Sequence, residues 1–258
     1  MIAIIYGLIC GIALSLTGGG GSILAVPMLI YGIKLSFHQA VSVSLLVVGL
    51  IALIGLLLKI KKSEVEWVAG ILLALTGMIF APIGSYISSF MNSNLLSIVF
   101  AVLMLIVGFV TWMKSKNIQV ASNISEHYDA NGKLSLTKRS VSLLLLAGII
   151  TGFLTGMLGV GGGFLIVPAL MLAIRMPIKK AIATSLLVIF LVSMSGFIAH
   201  MHHTVIPWDI AGYFILGGLV GMFGASKLKD MINGKTLQKI FAVLLVILGV
   251  AMIAVHTL

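Results

Sequence analysis

The chain has 258 residues, 60% of them hydrophobic and only 9% charged. A soluble domain needs about 25% charged residues to clothe its surface, so this composition excludes a water-soluble globular protein and points to an integral membrane protein. The net charge of +10 would raise nucleic acid as a partner for a soluble chain. Here the basic residues fall at the ends of apolar segments, where they fix orientation, and no nucleic-acid partner is expected.

Apolar segments run over 2–17, 22–33, 39–59, 66–90 and 95–113, and again over 141–158, 163–174, 181–199, 207–226 and 237–256. A full crossing takes about 20 residues. The last three segments of each set approach or exceed that length. The first two of each set are short and separated by glycines, the pattern of a broken helical hairpin that either re-enters or crosses. Segment 2–17 lacks a basic leading region and runs into glycines, so it is read as part of the mature fold and not as a cleaved signal. A polar stretch, 114–140, lacks an apolar period and is expected outside the membrane. The predicted division is a first transmembrane repeat at 1–113, a cytoplasmic linker at 114–140 and a second repeat at 141–258.

The two sets are copies at an offset of 141 residues. Gly18-Gly19-Gly20-Gly21-Ser22-Ile23-Leu24-Ala25-Val26-Pro27 aligns with Gly159-Val160-Gly161-Gly162-Gly163-Phe164-Leu165-Ile166-Val167-Pro168. Without a gap, the same offset pairs Ser44-Leu45-Leu46-Val47 with Ser185-Leu186-Leu187-Val188, Trp67 with Trp208, and Gly77 with Gly218.

Charge then orients the copies. If each opening hairpin returns to the side it came from, 15 basic residues share one face and only Lys34 lies opposite. If the second hairpin crosses once, Arg175, Lys179, Lys180, Lys227, Lys229, Lys235 and Lys239 change sides, and the split becomes 8 against 8. The excess of positive charge in cytoplasmic loops favours the first arrangement. Each half then makes an odd number of crossings, and the copies insert upside down relative to one another. The expected fold is an all-α polytopic membrane protein of two inverted-topology repeats. Each repeat is a glycine-broken helical hairpin plus three transmembrane helices. Both termini are expected outside the cell membrane and the linker inside. Inverted repeats recur in secondary transporters, with the substrate near the bilayer midplane.

Glycine costs about 1 kcal/mol relative to alanine inside a helix. In lipid, the backbone groups freed by a break must also find partners. Each break is followed by a restarting helix, at Ser22 and at Gly163, whose N-terminal amides and dipole suit an anion. The predicted substrate site therefore comprises Gly19, Gly20, Gly21 and Ser22 in the first copy, and Gly161, Gly162 and Gly163 in the second. Ser44 and Ser185, at matched positions, are expected either to donate to the anion or to bond to their own helix carbonyls. Gly7, Gly11, Gly148 and Gly152, at four-residue spacing, are read as surfaces for close helix packing.

These residues carry a resemblance. GGGGSILAVPMLI and GVGGGFLIVPALM are each followed by a matched segment, Gln39-Ala40-Val41-Ser42-Val43-Ser44-Leu45 and Lys180-Ala181-Ile182-Ala183-Thr184-Ser185-Leu186. The chain thereby resembles the sulfite exporter TauE/SafE family of membrane transporters over nearly its whole length except the linker. The resemblance implies transport of small anions, often sulfur-containing, such as sulfite and organosulfonates.

The other polar residues narrow the chemistry. All six acidic residues lie in loops or near segment ends, so no mid-membrane carboxylate relay is expected. No HExxH or paired mid-membrane aspartates occur, and an enzyme is not expected. Cys10 is the only cysteine, which leaves no CxxC metal site or disulfide framework. His200, His202 and His203 are expected in a solvated outer loop, with His200 alone near a helix end as a candidate proton switch. Lys180 is read as an anchor of the cytoplasmic end, and Trp67 and Trp208 as anchors at the membrane interface. Pro27 and Pro168 are expected to kink the second hairpin arms. No metal or cofactor is expected, and no ATP-binding motif is present. The expected function is secondary transport of a small anion by alternating access. Na⁺, H⁺ or no coupling ion, and a homodimer, stay open. The alternative is a membrane subunit or channel without coupled transport of its own.

Overall fold

The computed structural model describes residues 2–60, 64–116, 137–228, 243 and 245–252. Residues 117–136 of the predicted linker, and much of the last predicted segment, lie outside the described residues. The helices are α1 (Ile2–Thr17), α2 (Ser22–Pro27, continuing as a π-helical turn Met28–Gly32), α3 (Phe37–Ile60), α4 (Trp67–Ser89), α5 (Ser93–Lys116), α6 (Lys138–Leu158), α7 (Gly163–Ala173), α8 (Ile178–Met201) and α9 (Trp208–Leu228). Residues 245–252 are also helical, and no strand occurs among the described residues. Helix α5 runs to Lys116 and α6 starts at Lys138, so helix occupies three residues at each end of the stretch 114–140.

The repeat is visible in the bounds. Helix α2 with its π turn covers 22–32 and α7 covers 163–173; α3 covers 37–60 and α8 covers 178–201. Both pairs keep the offset of 141. Pro27 and Pro168 act differently within this shared length. Pro27, which has no N–H to give, is followed by wide π-type turns. Pro168 sits inside α7 without ending it.

The arms of the two hairpins differ in length. At a rise of about 1.5 Å per residue, the 16 residues of α1 and the 11 residues of α2 with its turn reach only about 24 and 16 Å. The hydrocarbon core is about 30 Å thick. In the second half α6 has 21 residues, long enough to cross, but the returning arm α7 has 11.

Two helices form the centre and the others surround them. In α3 and α8, 72% of the most apolar stretch is buried inside the protein, against 44% in α4 and α6 and 39% in α9. The outer helices expose Val68, Leu75, Ile79, Ile150, Leu216 and Val220. A continuous apolar coat of this kind matches a lipid environment.

Small residues let the outer helices approach at backbone distance. A methyl group on Gly7 would run into the Phe214 carbonyl, and one on Gly11 into the Gly218 carbonyl. The same holds for Gly152 against Gly77 and Gly156 against Ala81. The packing role read for Gly7, Gly11, Gly148 and Gly152 is therefore observed, joining α1 to α9 and α4 to α6.

The contacts also give relative directions. Gly7 with Phe214 and Gly11 with Gly218 advance together, so α1 and α9 run the same way. Leu73 with Gly148 and Ala81 with Gly156 advance together, so α4 and α6 do too. Gly49 with Ser193 and Gly55 with Leu186 move oppositely, so α3 and α8 run against each other.

Candidate functional site

Each break begins with a glycine in the left-handed region, where a side chain would be strained. Gly18 (φ 72°) ends α1 by donating its N–H to the Leu14 carbonyl at 2.9 Å. Gly159 (φ 72°) ends α6 by donating to the Thr155 carbonyl at 2.8 Å. Gly161 (φ 66°) and Gly162 (φ 64°) stay left-handed until α7 starts. The two breaks then meet. A methyl group on Gly19 would overlap the Cα of Gly163, and one on Gly163 would overlap the Cα of Gly19. Glycine is required at both positions because backbone touches backbone there.

The central helices fasten this meeting point. Ser44 Oγ on α3 donates to the Gly159 carbonyl at 2.8 Å. Ser185 Oγ on α8 donates to the Gly18 carbonyl at 2.5 Å and also lies 2.9 Å from the carbonyl of Ile182. Each half thus holds the break of the other. Ser22 Oγ donates to the Gly19 carbonyl at 2.6 Å, within its own break. The hydroxyl protons of Ser22, Ser44 and Ser185 are therefore committed to carbonyls in this arrangement. For Ser44 the partner is a carbonyl of the opposite half and not one of its own helix.

The backbone amides divide into used and unused. The Gly20 amide donates to Thr17 Oγ1 at 2.8 Å. The amides of Ser22, Ile23 and Leu24 reach the carbonyls of Gly19, Gly20 and Gly21 at 3.2 Å. In the second break, Leu165 and Ile166 donate to the Gly162 carbonyl at 3.0 and 3.1 Å. Among the described residues, the amides of Gly19, Gly21, Gly161 and Gly162 meet no acceptor. Helices α1, α2, α3, α6, α7 and α8 contain no Asp or Glu, so no carboxylate on them repels an anion at the breaks.

Two further side chains stand at the second break. Thr155 Oγ1 and Ser193 Oγ are fully buried and have no hydrogen-bond partner among the described residues. Sequence comparison of the halves passes over them, because the matched positions are Leu14 and Ala52.

A cavity of about 640 Å³ opens at one end of the bundle, between the start of α3 and the ends of α4 and α8. Its lining includes His38, Ser85, Ser88, Ser89, His200 and His203, and no residue of either break. His200 corrects the expectation of a solvated loop: it is 3% exposed, lies within α8, and shares a hydrogen bond with Ser85 Oγ. His202 and His203 are exposed as expected. Packing against α4 withdraws His200 from solvent although it is the penultimate residue of its helix. At the other end of the same helix, Lys180 Nζ lies 2.6 Å from Glu66 Oε1, and the Glu66 amide donates to Thr184 Oγ1 at 3.0 Å. Lys180 thus ties α8 to the loop that leads into α4. Trp67 and Trp208 are exposed at the starts of α4 and α9. Among the described residues, no group of three His, Cys, Asp or Glu side chains is placed to hold a metal.

An apolar bundle with five helices long enough to cross a bilayer, among the described residues, and two glycine-broken hairpins is of the multi-pass membrane class. Comparison with known proteins makes the family specific. The profile of the family described as sulfite exporter TauE/SafE matches residues 3–252, and the chain belongs to that family. It is similar to a probable membrane transporter protein of Xylella fastidiosa, with 35% identity over 82% of this chain and 77% of the relative. It is also similar to the probable membrane transporter protein YunE of Bacillus subtilis, with 31% identity over 98% of this chain and 97% of the relative. No solved structure matches the chain significantly.

Proposed function

We propose that the protein is a secondary transporter that moves small anions, sulfur oxyanions or organosulfonates, across the cytoplasmic membrane by alternating access. One observation carries this reading: the two glycine breaks meet in the core and each is fastened by a serine of the opposite half. The helix directions support two inverted repeats. α3 and α8, counterparts at the offset of 141 residues, run against each other. A pseudo-two-fold axis across the helices relates such halves, and rocking one against the other exposes the meeting point to either side. The family description and the absence of carboxylates on the break-forming helices support an anion as cargo. With positive charge inside, both termini lie outside and the linker is cytoplasmic.

The test is flux into proteoliposomes carrying the full chain, with sulfite, thiosulfate, sulfoacetate, sulfate and chloride, with and without Na⁺ and pH gradients. Saturable uptake with counterflow, abolished by Gly162→Leu in protein that still elutes as a single folded species, supports the reading. Non-saturable flux identifies a channel. No flux of any anion under any gradient sinks the proposal in favour of a subunit that acts with a partner.

A further inference from the structure

The breaks are matched in backbone but not in side chains. Thr17, Ser42 and Thr151 return their hydroxyl protons to carbonyls of their own helices, as hydroxyls in apolar helices usually do. Thr155 and Ser193 do not. Both are fully buried, where a hydroxyl without a partner costs free energy that nothing in the surrounding protein offsets. Both also face the second break. A methyl group on Gly162 would stand 2.6 Å from Thr155 Oγ1, and one on Gly161 would stand 3.3 Å from Ser193 Oγ. The missing side chains of Gly161 and Gly162 thus let these hydroxyls lie against the backbone of the break, with less than a methyl group's room between them in this arrangement. The amides of the same two glycines are without acceptors and precede α7, an 11-residue helix whose dipole favours negative charge at this end.

The first break has no such set. Its matched positions carry Leu14 and Ala52, which have no proton to donate. Its serine, Ser22, is committed to the Gly19 carbonyl.

We propose that the anion seat is lopsided. Thr155 and Ser193, with the amides of Gly161 and Gly162, hold a small oxyanion in the second half once the halves part to make room for it, and the first half supplies the opposing wall through Ser22 Cβ and Val48. Four donors of fixed position suit a compact anion with several acceptor oxygens, such as sulfite or thiosulfate, better than a spherical halide. The seat rests on the anion-transport reading above and deepens it by naming the residues that set affinity and selectivity.

The experiment measures the concentration dependence of sulfite and thiosulfate counterflow in proteoliposomes, and the thermal stabilisation that each anion gives the purified full chain. Thr155→Val and Ser193→Ala are each expected to raise KM by about ten-fold, with a smaller change in maximal rate. Each is also expected to weaken anion-dependent stabilisation in parallel. Thr155→Ser, which keeps the hydroxyl, restores most of the affinity. If Thr155→Val fails to fold, Ser193→Ala removes a single atom and carries the test alone. Wild-type KM and stabilisation in the variants overturn the seat while leaving the transport reading intact. A wild-type protein that neither transports nor is stabilised by any oxyanion overturns both.

Discussion

The Ser44 hydroxyl donates to the Gly159 carbonyl at 2.8 Å, and the same offset of 141 residues maps this pair onto Ser185 and Gly18, which are also bonded. In both pairs the serine belongs to one half and the carbonyl to the other. The carbonyls are orphans created by the glycine breaks, so each half satisfies a polar group that the other half cannot satisfy alone. Moving the halves apart must loosen both bonds together, which makes them fasteners of this particular arrangement.

Replacing Ser44 or Ser185 by alanine should therefore act first on stability. Each change leaves a buried carbonyl without its donor, a loss of about 1–3 kcal/mol. Thermal denaturation in detergent should show a lower midpoint for Ser44→Ala and Ser185→Ala, and a lower one still for the double variant. Unchanged melting in both single variants would mean that water replaces the serines and that they are not fasteners.

Much of this architecture was legible in the chain. The repeat offset placed the starts of α2 and α7 at Ser22 and Gly163, and the polarity pattern anticipated the helices that follow. Periodicity cannot say which carbonyl a hydroxyl reaches, so the cross-half bonds of Ser44 and Ser185 are visible only in the fold. Repeat matching also hid Thr155 and Ser193, because it draws attention to what the halves share and these residues are where they differ. His200 differs from its expectation for a third reason: nearness to a helix end says nothing of what packs over it, here Ser85 of α4.

The outer helices limit side-chain size as strictly as the glycine breaks do. Gly152 faces the backbone of Gly77, and Gly11 faces that of Gly218, so a side chain has no flexible neighbour to push aside. Gly152→Leu and Gly11→Leu should force α6 from α4 and α1 from α9, at a cost of about 3 kcal/mol or more. Size-exclusion profiles of detergent extracts should show loss of the folded monodisperse species. Among the described residues nothing lies where a side chain on Gly212 or Gly224 would go, and alanine there should be tolerated.

Orientation can be read with the chain's own chemistry. Cys10 is 2% exposed, so the natural protein should be nearly silent to a membrane-impermeant maleimide. Exposed positions at opposite ends of α8 then report sidedness. His203→Cys should label in intact cells, and Lys179→Cys only after the membrane is opened. The reverse pattern would place the termini inside, and labelling of both in intact cells would contradict opposite faces for these two positions.

The end cavity gives a final prediction. Ser89 is exposed, lines the cavity and, among the described residues, bonds only to the carbonyl of Tyr86 in its own helix, so replacing it should disturb little else. If the cavity is the outer vestibule of the transport path, Ser89→Cys should transport normally until a bulky thiol reagent is attached. Attachment should then block uptake from the cavity side, and cleavage of the mixed disulfide by reductant should restore it. Because no lining residue belongs to either break, the block would act on access and leave anion-dependent stabilisation in detergent largely intact. Unimpaired flux after complete labelling would remove the cavity from the path and leave it as a surface depression between α3, α4 and α8.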